Sequence, residues 1–140
     1  IRSLFQSAKT AGQIKHECVH FLQNKEAEMV KYFRNTYLSV KVSFCNEMEE
    51  FCRHQGMNYE AIRLAATLDS RIGSSHSIVP GHDGKRGFGG TCFPKDTNAL
   101  LYEMNKIGMK SYVLHGALER NREVDRKEED WKDDKGRAVV

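Results

Sequence analysis

The sequence predicts a mainly α fold: a helical domain organised on one long helix, preceded by a short helix–strand segment that reads as the end of an α/β domain. Three observations carry this. Residues 26–55 hold no glycine and no proline, which at 1.5 Å per residue allows one helix roughly 45 Å long. Within them Phe33, Tyr37, Val40, Phe44, Met48 and Phe51 step by 4, 3, 4, 4 and 3, the period of one helix face. The 140 residues suffice for one ordinary core and leave little room for a second.

At the start, Leu4, Phe5, Ala8 and Ala11 recur at helical spacing over residues 1–14, and Gly12 offers a stop. Residues 14–22, with Val19, Phe21 and Leu22, read as a short strand. On the long helix Val30, Leu38, Val42, Cys45 and Cys52 add a second apolar strip, so more protein than this chain must cover it, and a partner chain or further domains are expected. The remaining sector carries Lys31, Asn35, Ser39, Ser43 and Asn46, which periodicity alone makes a solvated face. Gly56 is a C-cap, and Asn58 caps a short helix with Ala61, Ile62, Leu64 and Ala65. A long loop with Gly81, Gly84, Gly87, Gly89 and Gly90 follows; loops of such length inside a compact domain tend to be functional or disordered. Pro94 opens another helix that ends at Gly108, and a last helix from Ser111 is expected to bury Val113, Leu114, Ala117 and Leu118. Residues 119–137 hold eight acidic and seven basic side chains, the composition of a charged helix end or of a linker leading out of the domain.

A net charge of +3 with both signs interspersed gives no footprint for nucleic acid. No apolar run approaches the roughly 20 residues of a membrane span, and Ile1-Arg2-Ser3-Leu4 opens no secretory signal. A cytoplasmic protein with neither nucleic acid nor membrane as partner is expected, and the start at Ile1 suggests a piece of a longer chain. Cys18, Cys45, Cys52 and Cys92 form no C-x-x-C pair, and no second His or Cys pair stands at finger-like spacing. No metal site and no disulfide scaffold are expected.

The chemistry concentrates in residues 86–96, Arg-Gly-Phe-Gly-Gly-Thr-Cys-Phe-Pro-Lys-Asp. A dinucleotide fingerprint would need glycine where Cys92 stands, and a P-loop would need Gly-Lys-Ser/Thr at the helix start. Neither phosphate cradle is present. The run does put a thiol just before a helix N-terminus with Lys95 nearby, a setting in which cysteines act as nucleophiles. Asp96, four residues on, shares a face with it. A small buried cysteine packed under a turn is the competing interpretation.

The segment 87–96 resembles the catalytic-cysteine motif of the nucleotide-sugar 6-dehydrogenases, the UDP-glucose/GDP-mannose dehydrogenase family. Residues 27–35 (Ala-Glu-Met-Val-Lys-Tyr-Phe-Arg-Asn) resemble the start of that family's long central helix, and residues 69–73 (Asp-Ser-Arg-Ile-Gly) the turn before its substrate loop. Phe93 resembles the UDP-glucose branch more than the GDP-mannose branch. The resemblance implies oxidation of UDP-glucose to UDP-glucuronate with two NAD through a cysteine thiohemiacetal and thioester. By position, Cys92 resembles the nucleophile and Asp96 the group that handles the hydrolytic water. Lys31 and Asn35 resemble the cation and the hydrogen-bond donor that hold the developing oxyanion, roles suited to an anionic tetrahedral intermediate. Arg71 resembles a residue that reaches a ligand in the neighbouring subunit of a homodimer, and Gly87, Phe88 and Gly89 a loop whose backbone contacts the UDP-sugar.

On this resemblance residues 1–24 are the end of an N-terminal dinucleotide-binding domain, 25–118 a central helical dimerisation and catalytic-cysteine domain, and 119–140 a charged linker toward a C-terminal domain. NAD would be bound mainly by a domain outside this chain, and the chain alone would be inactive. Two other functions compete. One is a non-catalytic helical dimerisation module derived from the family. The other is a thiol redox protein, which lacks a resolving cysteine near Cys92.

Overall fold

The computed structural model of the chain describes residues 1–133. They divide into two units, residues 1–30 and the part that follows from Lys31. The first unit holds α1 (Arg2–Thr10) and the first turns of α2 (Asn24–His54). Helix α1 stops just before Gly12 at φ +70°, where Gln13 N–H reaches back to the Ala8 carbonyl. The strand expected over residues 14–22 does not form, and no strand occurs among the described residues. A lone extended segment has nothing to pair with, and Phe21 and Leu22 lie exposed. The entry to α2 is fixed locally, because Glu26 Oε2 accepts the Gln23 N–H at 3.0 Å.

The second unit holds the rest of α2 with α3 (Tyr59–Ala66), α4 (Phe93–Lys106) and α5 (Tyr112–Arg120). The caps follow the sequence. Gly56 adopts φ +66° and Met57 N–H bonds the Cys52 carbonyl at 2.8 Å, a Schellman ending. Asn58 Oδ1 accepts from Ala61 N–H at 3.1 Å to start α3, Pro94 occupies the first turn of α4, and Gly108 at φ +74° ends it. A small core of Phe88, Leu114 and Leu118 is packed by Val40, Val42, Phe93, Leu100, Leu101 and Met104. On α5, Leu114, Ala117 and Leu118 are buried, whereas Val113 is 71% exposed. Neighbouring residues on a helix lie about 100° apart, so the core can take the 114/117/118 set and not 113 as well.

Helix α2 reverses the expected polarity. Its polar sector is the inner one: Ser39, Ser43 and Asn46 are buried. Ser39 Oγ donates to the Asn35 carbonyl at 2.7 Å, Ser43 Oγ to the Ala117 carbonyl of α5 at 3.1 Å, and Asn46 Nδ2 to the Val42 carbonyl at 2.8 Å. Short hydroxyl side chains that bond main-chain carbonyls let α5 approach closely without orphaned polar atoms, so the solvated-face expectation fails. The aromatic stripe meanwhile faces out, with Phe33 68% and Phe44 61% exposed and Tyr37 and Phe51 exposed beside them.

The charged stretch after Leu118, whose composition allows a charged helix end or a linker, is packed into the fold over its described residues. A π-helical turn spans Asn121–Asp125 and a short 3-10 turn Asp130–Asp133, and Asn121, Asp125, Arg126 and Trp131 are buried. Its charges are paired inside the fold. Asp125 meets Arg120 Nε at 2.9 Å and Arg86 Nε at 3.6 Å. Burial pushes the Asp125 carboxyl above its ordinary value, and the two guanidinium groups only partly offset this. Residues 134–140, the rest of the expected linker, lie outside the described residues. No helix among the described residues is long and apolar enough to cross a membrane.

Candidate active site

Cys92 is the N-cap of α4, with its side chain exposed. The first turn of that helix then turns Asp96 inward: Asp96 N–H bonds the Cys92 carbonyl at 3.0 Å, and the carboxylate is 1% exposed. Helix α2 supplies its partners. Asn35 Nδ2 donates to Asp96 Oδ2 at 2.5 Å and Lys31 Nζ stands 3.8 Å from the same oxygen, while Lys95 Nζ donates to Oδ1 at 2.5 Å. Burial alone raises the Asp96 carboxyl, but the hydrogen bonds from Lys95 and Asn35 and the charges of Lys95 and Lys31 outweigh it and hold the group below its ordinary value. Lys95 is raised in turn, chiefly by its bond to Asp96. Three of the predicted residues, Lys31, Asn35 and Asp96, thus form one cluster a helical turn from the thiol of the fourth.

The glycine loop is held differently from expectation. Phe88, expected to offer its backbone to a sugar, is buried in the core, and both of its main-chain groups are committed to Asn121: its N–H to Oδ1 at 2.8 Å, its carbonyl to Nδ2 at 2.9 Å. Gly87 N–H donates to Asn46 Oδ1 at 3.2 Å. Of the predicted trio only Gly89 has a backbone N–H without an acceptor among the described residues. It lines a cleft of about 290 Å³ together with His76, His82, Asp83, Phe93 and Arg126. Burial, followed by the charges of Lys41 and His82, lowers the His76 imidazole below its ordinary value.

Two of the glycines answer to packing. A Cβ on Gly87 would lie 2.3 Å from Asn121 Oδ1, and one on Gly89 would lie 2.4 Å from Arg126 Cζ. Arg126 is anchored there by Asp83 Oδ2 at 2.7 Å and by both oxygens of Asp130 at 2.7 and 2.8 Å. Arg71 stays on its own turn, where its guanidinium pairs with Asp69 through Nη2 at 2.5 Å and is 88% exposed. Lys41 Nζ fixes that turn to α2 by donating to the Ile72 and Gly73 carbonyls at 2.8 and 2.9 Å.

Sequence reasoning missed Asn121, Arg126, His76 and His82. Asn121 had a signal: it continues the 114/117/118 face of α5 by one more turn, a polar residue at a core position. Arg126 had none, being one charge among fifteen in residues 119–137.

Residues 25–123 match the UDP-glucose/GDP-mannose dehydrogenase family, central domain. The chain is similar to a UDP-glucose 6-dehydrogenase of Pseudomonas aeruginosa, 40% identical over 76% of this chain and 22% of that protein. It is also similar to the UDP-glucose 6-dehydrogenase YwqF of Bacillus subtilis, 43% identical over 69% of this chain and 21% of the relative. A UDP-glucose 6-dehydrogenase of Campylobacter jejuni is 37% identical over 76% of this chain and 25% of its own length. The chain therefore spans about a fifth to a quarter of the relatives it matches. With the motif order, the helical fold and a match over most of its length in agreement, this chain belongs to the UDP-glucose/GDP-mannose dehydrogenase family.

Proposed function

We propose that the chain is the central part of a nucleotide-sugar 6-dehydrogenase and supplies the nucleophile and the oxyanion and water-handling groups for oxidising UDP-glucose to UDP-glucuronate. The observation that carries this reading is the gathering of Lys31, Asn35 and Asp96 one helical turn from the exposed thiol of Cys92. Sulfur adds to the C6 aldehyde, forming an S–C bond while the carbonyl oxygen takes up negative charge. Lys31 and Asn35 are the donors for that oxygen. At the thioester stage water attacks the acyl carbon, its proton passes toward the ionised Asp96, the C–S bond breaks and Cys92 is regenerated.

NAD would supply the hydride acceptor for the two oxidations. The described residues do not fit a dinucleotide: they contain no strand leading into a glycine turn and helix, and Phe88 and Gly87 already use their loop amides within the protein. Its binding is assigned to sequence outside the described residues, and only the steps above belong to this chain. The test is a chimera in which residues 25–131 replace the corresponding segment of the Pseudomonas aeruginosa relative. It should form two NADH per UDP-glucose consumed. A folded, nucleotide-binding chimera that makes none would sink the reading and leave the non-catalytic dimerisation module.

The same reading makes the assembly a homodimer. The outward stripe of α2 borders an open apolar groove of about 450 Å³ that also takes in Leu100, Met104, Tyr112 and Val113, more exposed aromatic surface than a monomer of this size leaves in water. A second copy laid along α2 would cover it. Phe44→Glu should convert a dimer of the 140-residue chain into monomers at micromolar concentration, because an unpaired charge buried at an interface centre costs several kcal/mol, about a thousandfold or more in affinity. Sedimentation showing the unsubstituted chain monomeric at the same concentration would refute the dimer.

A further inference from the structure

The glycine loop and the start of α4 are held in place from behind, by a segment no sequence motif marks. Three observations converge on Asn121. Its side chain is 1% exposed. It donates to the Phe88 carbonyl at 2.9 Å and accepts the Phe88 N–H at 2.8 Å, pairing with the loop as a neighbouring strand would. It also opens the π-helical turn Asn121–Asp125, closed by Arg126 N–H on the Asn121 carbonyl at 2.7 Å, and such widened turns recur at functional positions in helices.

We propose that Asn121 is a positioning residue for Cys92: its amide fixes the Phe88 backbone, so that residues 89–91 must run directly to the N-terminus of α4 and leave the thiol beside the Lys31–Asn35–Asp96 cluster. This rests on the reading of Cys92 as the nucleophile. Asn121 touches neither the thiol nor the cluster, and acts only through the main chain of the loop. Three residues separate Phe88 from Cys92, too few to let the thiol keep its place if the anchor is released. The chemistry selects the residue type. One planar group must present a donor and an acceptor side by side, which an amide does and an aliphatic side chain, a hydroxyl or a carboxylate does not. A half-satisfied buried pair is worse than none. The close approach also explains Gly87, since any Cβ there would occupy the space of Asn121 Oδ1.

The test uses the 140-residue chain with Asn121→Ala and the nearly isosteric, apolar Asn121→Leu. Two quantities are read: hydrogen exchange of the Phe88 amide, and iodoacetamide labelling of Cys92 relative to Cys18, an exposed thiol far along the sequence that serves as an internal clock. Asn121→Ala should speed Phe88 exchange at least about tenfold. It should also change the Cys92:Cys18 labelling ratio at least about threefold, because the thiol no longer keeps the place at the head of α4 that the anchored loop gives it. Asn121→Leu keeps the volume and loses both bonds, so it should match Asn121→Ala in both readouts. Equality of Asn121→Leu with the unsubstituted chain would show that Asn121 merely fills space and would overturn the proposal. Faster Phe88 exchange with an unchanged labelling ratio would overturn it too, by showing that the loop is held but the thiol is not. Where exchange of α2 and α5 amides shows that Asn121→Ala has unfolded, Asn121→Leu, which leaves no cavity, decides. The labelling ratio does not depend on turnover, so a failure here is distinct from an inactive chimera.

Discussion

Cys92→Ser in the chimera should lower turnover of UDP-glucose by at least about a thousandfold while leaving binding of the nucleotide sugar within a fewfold. The asymmetry follows from where the sulfur sits. It stands exposed at the head of α4, so its replacement by oxygen removes nucleophile and leaving group without disturbing the packing that shapes the cleft. Asp96→Asn should give a different defect in the same protein. The carboxylate that gathers Asn35, Lys95 and Lys31 would lose its charge. Hydrolysis should slow by about a hundredfold, within the range of a lost acid–base group, and acyl-enzyme should accumulate. Intact-mass spectrometry of the quenched reaction would show the sugar acid on Cys92 with Asp96→Asn and nothing with Cys92→Ser. An unmodified Asp96→Asn protein turning over at full rate would remove Asp96 from the chemistry.

The second large effect is on stability. Gly87→Ala should cost about 3–4 kcal/mol, whereas Gly84→Ala should cost only about 1–2. Both glycines have positive φ, +69° and +74°, so both alanines carry the same left-handed penalty of about 1–2 kcal/mol. They differ in surroundings. A Cβ on Gly84 meets nothing within 4 Å, whereas one on Gly87 would lie 2.3 Å from Asn121 Oδ1 and 3.0 Å from Asp125 Cβ. Asn121 must then give way, breaking one or both bonds to Phe88, and a buried amide left unpaired adds about 1–3 kcal/mol. Urea unfolding of the two variants beside the parent measures the difference directly. Equal losses for both would mean that the loop can back away from Asn121, and that the clamp is softer than its distances suggest.

The parts of the fold that local rules govern were legible in the sequence. The glycine-free run gave α2 within a residue or two of its ends, and Gly56, Asn58, Pro94 and Gly108 stand at the helix ends because each has a conformational reason to be there. Burial along α2 was not legible. Periodicity separates two faces of a helix but does not say which one is inside, and here Ser39 and Ser43 face in because their hydroxyls bond main-chain carbonyls. The strand over residues 14–22 was misjudged for a related reason: a few alternating apolar residues make a strand only when another strand takes up the hydrogen bonds. The predicted site divides in the same way. Helical spacing sets Lys31 beside Asn35 and Cys92 beside Asp96, but only the resemblance to the family's motifs put the two pairs in one site. The supports of the glycine loop come from thirty to forty residues further along, and spacing carries no information over that interval.

The segment behind the loop bears on where this domain can be cut. The family match stops at residue 123, but the guanidinium beneath Gly89 belongs to Arg126, its carboxylate partner is Asp130, and the last buried ring is Trp131. A piece trimmed to the family boundary would keep every motif residue. It would also leave Gly89 over an empty space and Asp83 without its counter-ion. The smallest fragment able to hold the loop in shape therefore extends through residue 131, and alignment of motifs alone would place its end too early.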